Sequence, residues 1–173
     1  MYGRLLKMTS RLFNFLNDQD FINSRQNNKH FVFRNLDLTT PTWGEILENL
    51  NQTIVSKSKI KVLDNLGFVF FDAERMTVVN SLLTEIKKTT DKLCTAHCYV
   101  SLLEISGTFG RHNDTSDVFF WQVQGNTVWK VEQGDTTYEY KLSPNDLIYI
   151  PRFVFHDVLP LGPRVGISIG IDY

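Results

Sequence analysis

Only two cysteines, Cys94 and Cys98, occur in 173 residues. A disulfide-stapled scaffold is therefore excluded, and a reducing cytoplasm is the simplest expected compartment. No apolar run reaches the roughly 20 residues that a membrane-spanning helix needs. Nothing after Met1 joins an apolar core to a small-residue cleavage site. The net charge is −1, so no polyanionic partner is demanded and nucleic acid is not expected. Low-complexity tracts are absent, and no period of 20–50 residues repeats, which excludes solenoids and propellers. What remains is globular: 42% hydrophobic and 21% charged residues, in a length suited to one domain over residues 1–173.

The small net charge hides an uneven distribution. Residues 1–34 carry Arg4, Lys7, Arg11, Arg25, Lys29 and Arg34 against Asp18 and Asp20, whereas residues 111–173 hold eight acids and five bases. The basic stretch reads as the solvated face of a surface helix over residues 4–17, whose Leu5, Met8, Leu12, Phe13, Phe15 and Leu16 recur at helical spacing. A second short helix is expected to begin at Asp18–Phe21, and His30–Arg34 forms a short β-rich run. Thr40-Pro41 then reads as a cap followed by proline in the first turn, opening a helix with Trp43, Ile46, Leu47 and Leu50 on its buried face. Strands are expected at Lys61–Leu63 and Phe68–Phe71 around an Asn65-Leu66-Gly67 turn. A helix over 74–90 follows, with Met76, Val79, Leu82, Leu83 and Ile86 spaced for burial.

After residue 95 the texture changes to short β segments: 96–105, 118–124, 128–132, 136–142, 146–150, 153–158 and 165–172. Gly107, Gly110, Gly125, Gly134, Pro144-Asn145 and Gly162-Pro163 separate them, a rhythm that points to a sandwich or barrel. The expected architecture is mainly β with N-terminal helices: a helical annex with one early strand over 1–60, and a jelly-roll core over 61–173 that includes the helix 74–90. A jelly roll protects its sheet edges, and its mouth can host a metal.

Two of the four histidines are placed for one task. His112 and Asp114 are two residues apart, so on an extended segment both side chains project to the same side. His156 follows after a turn and the stiff Ile150-Pro151-Arg152 stretch. Two imidazoles and one carboxylate are the set that holds a non-haem Fe(II) by one face and leaves its other positions open. Eight residues on, Arg164-Val165-Gly166-Ile167-Ser168 alternates, so Arg164, Gly166 and Ser168 share a side. An inward guanidinium there offers a bidentate fork for the carboxylate of an acidic cosubstrate, with Gly166 leaving room and Ser168 adding a hydroxyl. Cys94-Thr95-Ala96-His97-Cys98 crowds three potential ligands without a fourth and reads as buried thiols at the start of a strand rather than as a zinc site.

These residues resemble the Fe(II)- and 2-oxoglutarate-dependent oxygenases, in particular the small cupin-like JmjC hydroxylases. His112-Asn113-Asp114 through Gly125 to Val128-Trp129-Lys130-Val131 is similar to the family's H-x-D strand, glycine turn and W-x-V strand. Leu142-Ser143-Pro144-Asn145-Asp146 through Tyr149-Ile150-Pro151 to His156 is similar to its L-x-P-G-D-x-x-Y-I-P…H block, with Asn145 where glycine is usual. His30–Arg34 with Trp43, Ile46 and Leu50 resembles the family's N-terminal lead-in. The specific likeness covers residues 107–170.

The resemblance implies a double-stranded β-helix and an iron held by His112, Asp114 and His156. It also implies 2-oxoglutarate, dioxygen and a substrate (a protein side chain or a small molecule) as partners, with decarboxylation to succinate coupled to hydroxylation. Several relatives place a 2-oxoglutarate-binding lysine where this chain has Thr127, so the cosubstrate cation is expected to be Arg164, with Ser168 beside it, as in prolyl hydroxylases. Tyr99, Phe109, Trp121, Trp129 and Tyr149 are candidates for the barrel mouth, and Asp117 and Asp157 are expected to be exposed. The alternatives are a metal cupin that uses no 2-oxoglutarate, and a binding module that kept the barrel without catalysis.

Overall fold

Strict alternation along the late strands decides how this chain layers. The computed structural model describes residues 14–56 and 59–172. Ten strands form two antiparallel sheets. The larger sheet contains β1 (Phe31–Phe33), β2 (Ile60–Leu63), β3 (Gly67–Phe70), β4 (Cys94–Ser101), β5 (Asp117–Gln124), β8 (Leu147–Ile150) and β10 (Arg164–Ile171), in the order β1-β8-β5-β10-β4-β3-β2. The smaller contains β6 (Thr127–Gln133), β7 (Thr136–Leu142) and β9 (His156–Pro160), in the order β7-β6-β9. This is a jelly roll, as the turn-rich segments imply.

Side chains alternate across a strand, and here the two faces of the large sheet enter different cores. Ala96, Cys98 and Val100 of β4, Phe119, Trp121 and Val123 of β5, and Val165, Ile167, Ile169 and Ile171 of β10 pack with the helices and the N-terminal segments. Val118 and Phe120 of β5 and Ile148 and Ile150 of β8 face the small sheet, meeting Trp129, Val131, Leu142 and Val158. Arg164, Gly166 and Ser168 pair with Ser101, Tyr99 and His97, which places all six on that second, inward face.

The helices are α1 (Gln19–Gln26), α2 (Trp43–Val55) and α3 (Thr77–Thr90). Most of the helix expected over 4–17 lies outside the described residues; Asn14–Asn17 is a single 3-10 turn. Asp18 caps α1, accepting hydrogen bonds from the backbone N–H groups of Asp20 and Phe21. Helix α2 starts later than Thr40-Pro41 suggested. Thr42 is its cap, in a reciprocal capping box with Glu45. This start turns Ile46, Asn49 and Thr53 inward and leaves Trp43 and Leu47 exposed, contrary to the expected apolar face. Asn49 fixes that rotation by donating through Nδ2 to the Asp72 carbonyl at 3.1 Å. The helix expected from residue 74 begins at Thr77, because Ala73–Arg75 forms a separate 3-10 turn. Val79, Leu82 and Ile86 are its buried stripe.

The turns that position the late strands rely on left-handed backbone. Gly125, at φ +68°, joins β5 to β6, and a Cβ there would collide with the Pro163 carbonyl oxygen. Only glycine lets the turn that carries the chain from β5 in one sheet to β6 in the other pass under the start of β10. Asn145 occupies its turn at φ +68°, and its Oδ1 accepts a 3.3 Å hydrogen bond from the Trp121 indole. Next to it, buried Asp146 accepts from Arg34 Nη1 at 2.7 Å and from the Asn35 and Ser143 N–H groups at 3.0 Å, tying β1 to the β7–β8 turn. The motif aspartate at position 146 thus holds the lead-in segment against the barrel.

Candidate metal centre and adjoining cavity

His112 and Asp114 lie on an irregular strap between β4 and β5, where no strand was resolved by pattern, while His156 opens β9. The strap is pinned edge-on to β9. His112 N–H donates to the His156 carbonyl at 2.9 Å and His156 N–H donates back at 2.8 Å, so the two histidines form a single antiparallel bridge. Their rings stand 4.4 Å apart between centroids. The Asp114 carbonyl accepts from Phe153 N–H at 2.8 Å. Phe153 lies in the turn before β9 at φ +63°, a strained conformation for a bulky residue. The strand expected over 153–158 therefore begins only at His156, after that kink.

The three side chains converge. One donor atom from each of His112, Asp114 and His156 lies within 4.8 Å of the others, and His156 Nε2 is 3.5 Å from Asp114 Oδ2. Each imidazole is held by the carbonyl two residues upstream: His112 Nδ1 donates to Gly110 at 2.8 Å, and His156 Nδ1 donates to Val154 at 3.0 Å. A carbonyl can only accept, so the proton of each neutral ring sits on Nδ1 and the Nε2 lone pair is left free. Burial lowers the pKa of His156, against a smaller opposing pull from the Val154 hydrogen bond, and so favours the neutral ring. Two fixed Nε2 lone pairs and a carboxylate oxygen are a donor set suited to a divalent transition metal.

Arg164 points into the same space. It is 3% exposed, its Nε donates to Ser101 Oγ at 3.0 Å, and its Nη1 is buried without a hydrogen-bond partner. Burial pulls its pKa down to about 10, which still leaves it charged at neutral pH. A buried guanidinium with an unsatisfied N–H is costly unless an anion joins it. Arg164, Ser168, Phe120 and Trp129 line a cavity of about 40 Å³ with the three candidate ligands. Tyr99, Asp114, Val118 and Ser168 are shared with an adjoining cleft of about 250 Å³ that also reaches His97 and Asp172. Burial, with a smaller contribution from Asp114, pushes the Tyr99 phenol up to about 12, so it is a hydroxyl donor in the physiological range.

Several neighbours differ from expectation. Gly166 does not leave room for a ligand, since the ring of Phe120 fills the space where its Cβ would be. Thr127 is sealed and donates to Gln122 Oε1 at 2.8 Å, while Gln122 Nε2 donates to the Gln124 carbonyl at 2.7 Å. The position that carries a lysine in several relatives is a closed polar knot in this chain. Asp117 is buried, accepting from Tyr149 Oη at 2.7 Å and Arg152 N–H at 2.9 Å, where exposure was expected. Asp157 is half-buried. Tyr99, Phe109 and Trp129 line the cavity, but Trp121 and Tyr149 belong to the opposite core. Ser101 was not foreseen. The alternation Tyr99–Ser101 on β4 places it on the inward face, but only the pairing of β4 with β10 sets it beside Arg164.

The family profile described as JmjC domain matches residues 77–141, a span that includes His112 and Asp114 but stops before His156. That span is less than half of the chain, and the solved structures that follow share its jelly-roll fold. Among solved structures, the chain is similar to YcfD, a ribosomal oxygenase from Escherichia coli, at TM-score 0.70 and 17% identity, covering 89% of this chain and 50% of that one. The same protein in complex with cobalt and 2-oxoglutarate matches at TM-score 0.68 and 16% identity, over 89% and 51% of the two chains. Its complex with cobalt and succinic acid matches at TM-score 0.68 and 18% identity, over 89% and 51%. The chain therefore spans about half the length of these structures. No curated protein matches its sequence. Among the described residues, no helix is long and apolar enough to cross a membrane.

Proposed function

We propose that this chain is a JmjC-type, Fe(II)- and 2-oxoglutarate-dependent oxygenase that hydroxylates a substrate, either a protein side chain or a small molecule. One observation carries the reading: two oriented imidazoles and a carboxylate share a cavity with a buried arginine that has an unsatisfied nitrogen. A metal alone answers the first half of that arrangement. Only a metal together with an anionic ligand answers both. The likeness to a ribosomal oxygenase in complex with cobalt and 2-oxoglutarate supports the pairing.

In this reading His112, Asp114 and His156 hold the metal, and bound Fe(II) supplies oxygen activation coupled to decarboxylation of 2-oxoglutarate to succinate. The chain's own contribution is placement and exclusion of water. The two backbone carbonyls keep both Nε2 lone pairs aimed at one point. Arg164, braced by Ser101, and Ser168 take the far carboxylate of the cosubstrate. Phe120, Val118 and Trp129 form the dry wall, which strengthens the grip of Arg164 by lowering the local dielectric. The adjoining cleft past Asp114 is where a substrate approaches.

The test is an anaerobic titration with Fe(II) and 2-oxoglutarate, read by the visible metal-to-ligand charge-transfer band. The band is expected in the parent protein and absent in His112→Ala. In Arg164→Ala it should require about a hundredfold more 2-oxoglutarate, the scale of losing one partner of a buried charged contact. No band in the parent refutes the oxygenase reading. A band with undiminished affinity in Arg164→Ala refutes the assignment of the arginine and leaves a metal cupin that does not use it.

A further inference from the structure

The strap that carries His112 and Asp114 is irregular, yet its two candidate ligands must meet His156 within a few ångströms. Directly outside the bridge, Arg111 forms a fork with Glu132 of β6, Nε to Oε1 at 2.6 Å and Nη2 to Oε2 at 2.7 Å. The Arg111 guanidinium also lies 4.0 Å from the centroid of the Phe155 ring. Arg111 immediately precedes His112, and Phe155 immediately precedes His156. Glu132 closes the set by donating its backbone N–H to the Phe155 carbonyl at 2.8 Å. One planar cation thus grips the strap, the β6 strand and the start of β9, each one residue from a candidate ligand or its paired neighbour, since Val131 pairs with His156.

We infer that Arg111 is a positioning residue: with Glu132 and Phe155 it forms a clasp that holds His112 and Asp114 in register with His156 before metal binds. The inference rests on the metal reading above. An exposed ion pair contributes little to global stability, and the Arg111 and Glu132 side chains are 55% and 35% exposed. The geometry is nonetheless the favourable one for such a pair, bidentate and stacked on an aromatic face. Besides the clasp, the strap is tied by backbone hydrogen bonds to β9 through the His112–His156 bridge and to the turn before it through Asp114 and Phe153. The clasp therefore acts on the local opening of the strap rather than on unfolding of the barrel.

The experiment compares the parent chain with Arg111→Ala, Arg111→Lys and Glu132→Gln, using Co(II) as the probe metal. Three quantities are measured: the Co(II) dissociation constant, amide exchange at His112 and Phe153, and the denaturation midpoint of the metal-free protein. Arg111→Ala should bind Co(II) about tenfold more weakly, at the low end for residues that orient metal ligands from outside. Its His112 and Phe153 amides should exchange faster, while the midpoint stays near the parent's. Arg111→Lys, which keeps the charge without the fork, should recover part of the affinity, and Glu132→Gln should weaken binding in the same direction. Unchanged Co(II) affinity in Arg111→Ala overturns the inference, as does a loss matched by an equal fall in the midpoint. Failure of the parent to bind Co(II) overturns the metal reading itself, and the exchange rates then report only on the strap.

Discussion

The two faces of β10 make opposite use of one strand. Val165, Ile167, Ile169 and Ile171 lie in a hydrocarbon layer against the helices, each essentially inaccessible to water. Arg164, Gly166, Ser168 and Gly170 alternate with them on the inward face, where Arg164 and Ser168 line the candidate metal cavity, Phe120 fills the space beside Gly166, and Gly170 borders the adjoining cleft. The outward face is built from the residues that gain most from leaving water. The inward face gives up that gain at several positions and even buries an unsatisfied guanidinium nitrogen. The helices and N-terminal segments therefore cover the sheet from one side, while the other carries the polar and small residues of the site.

This division is broken most sharply by Ile167→Ala. Truncating a fully buried isoleucine in the annex-facing layer should cost about 2–5 kcal/mol of unfolding free energy, measured by denaturant titration. The folded fraction should still bind 2-oxoglutarate like the parent; a large loss of affinity would show that the faces are not independent. Arg164→Met, three residues away, should do the reverse. Removing a buried charge without a salt-bridge partner should leave stability within about 1 kcal/mol of the parent, or raise it, while the charge-transfer titration loses about two orders of magnitude in affinity. A strongly destabilised Arg164→Met would mean that the guanidinium holds the fold together rather than waiting for a ligand.

The smallest effect concerns protons. Burial lowers the pKa of His97 and His156, both on the inward side, and of His30, which is bonded to Gln133 and Tyr140. Below the ordinary histidine value of 6.5 the unfolded chain takes up protons that the folded chain refuses. The metal-free domain should therefore be fully stable above that pH and lose stability as the pH falls below it. The annex-facing core contains no histidine. If the acid sensitivity belongs to the inward face, His97→Gln should shallow the fall of the denaturation midpoint between about pH 6.5 and 5. An unchanged slope would move the effect to the other histidines.

Much of this arrangement was legible residue by residue. The period-two pattern of Val165–Ile171 announces a strand with unlike faces, and glycine and Pro-Asn punctuation marks turns between strands that the structure contains. What the pattern missed lies where side-chain hydrogen bonds overrule hydrophobic periodicity. Helix α2 rotates because Thr42 and Glu45 cap it and Asn49 anchors it, so Trp43 and Leu47 face water. Asp117 was expected to be exposed, yet the Tyr149 hydroxyl and Arg152 N–H satisfy its carboxylate and offset the cost of its burial. Gly166 was read as ligand space because sequence gives no view of what leans across a strand. Phe120, paired with the neighbouring Ser168, leans into it.

The candidate site divides in the same way. That His112, Asp114 and His156 are of the right chemical types follows from composition and spacing, and so does the placing of Arg164 and Ser168 on one side of β10. Sequence alone determined these residue identities and local directions, because side-chain chemistry and strand alternation are properties of a few consecutive residues. Convergence was decided only in three dimensions. The bridge between His112 and His156 joins positions 44 residues apart, and the bond from Arg164 to Ser101 joins positions 63 apart. Strand register between distant segments, not any local preference, sets those distances.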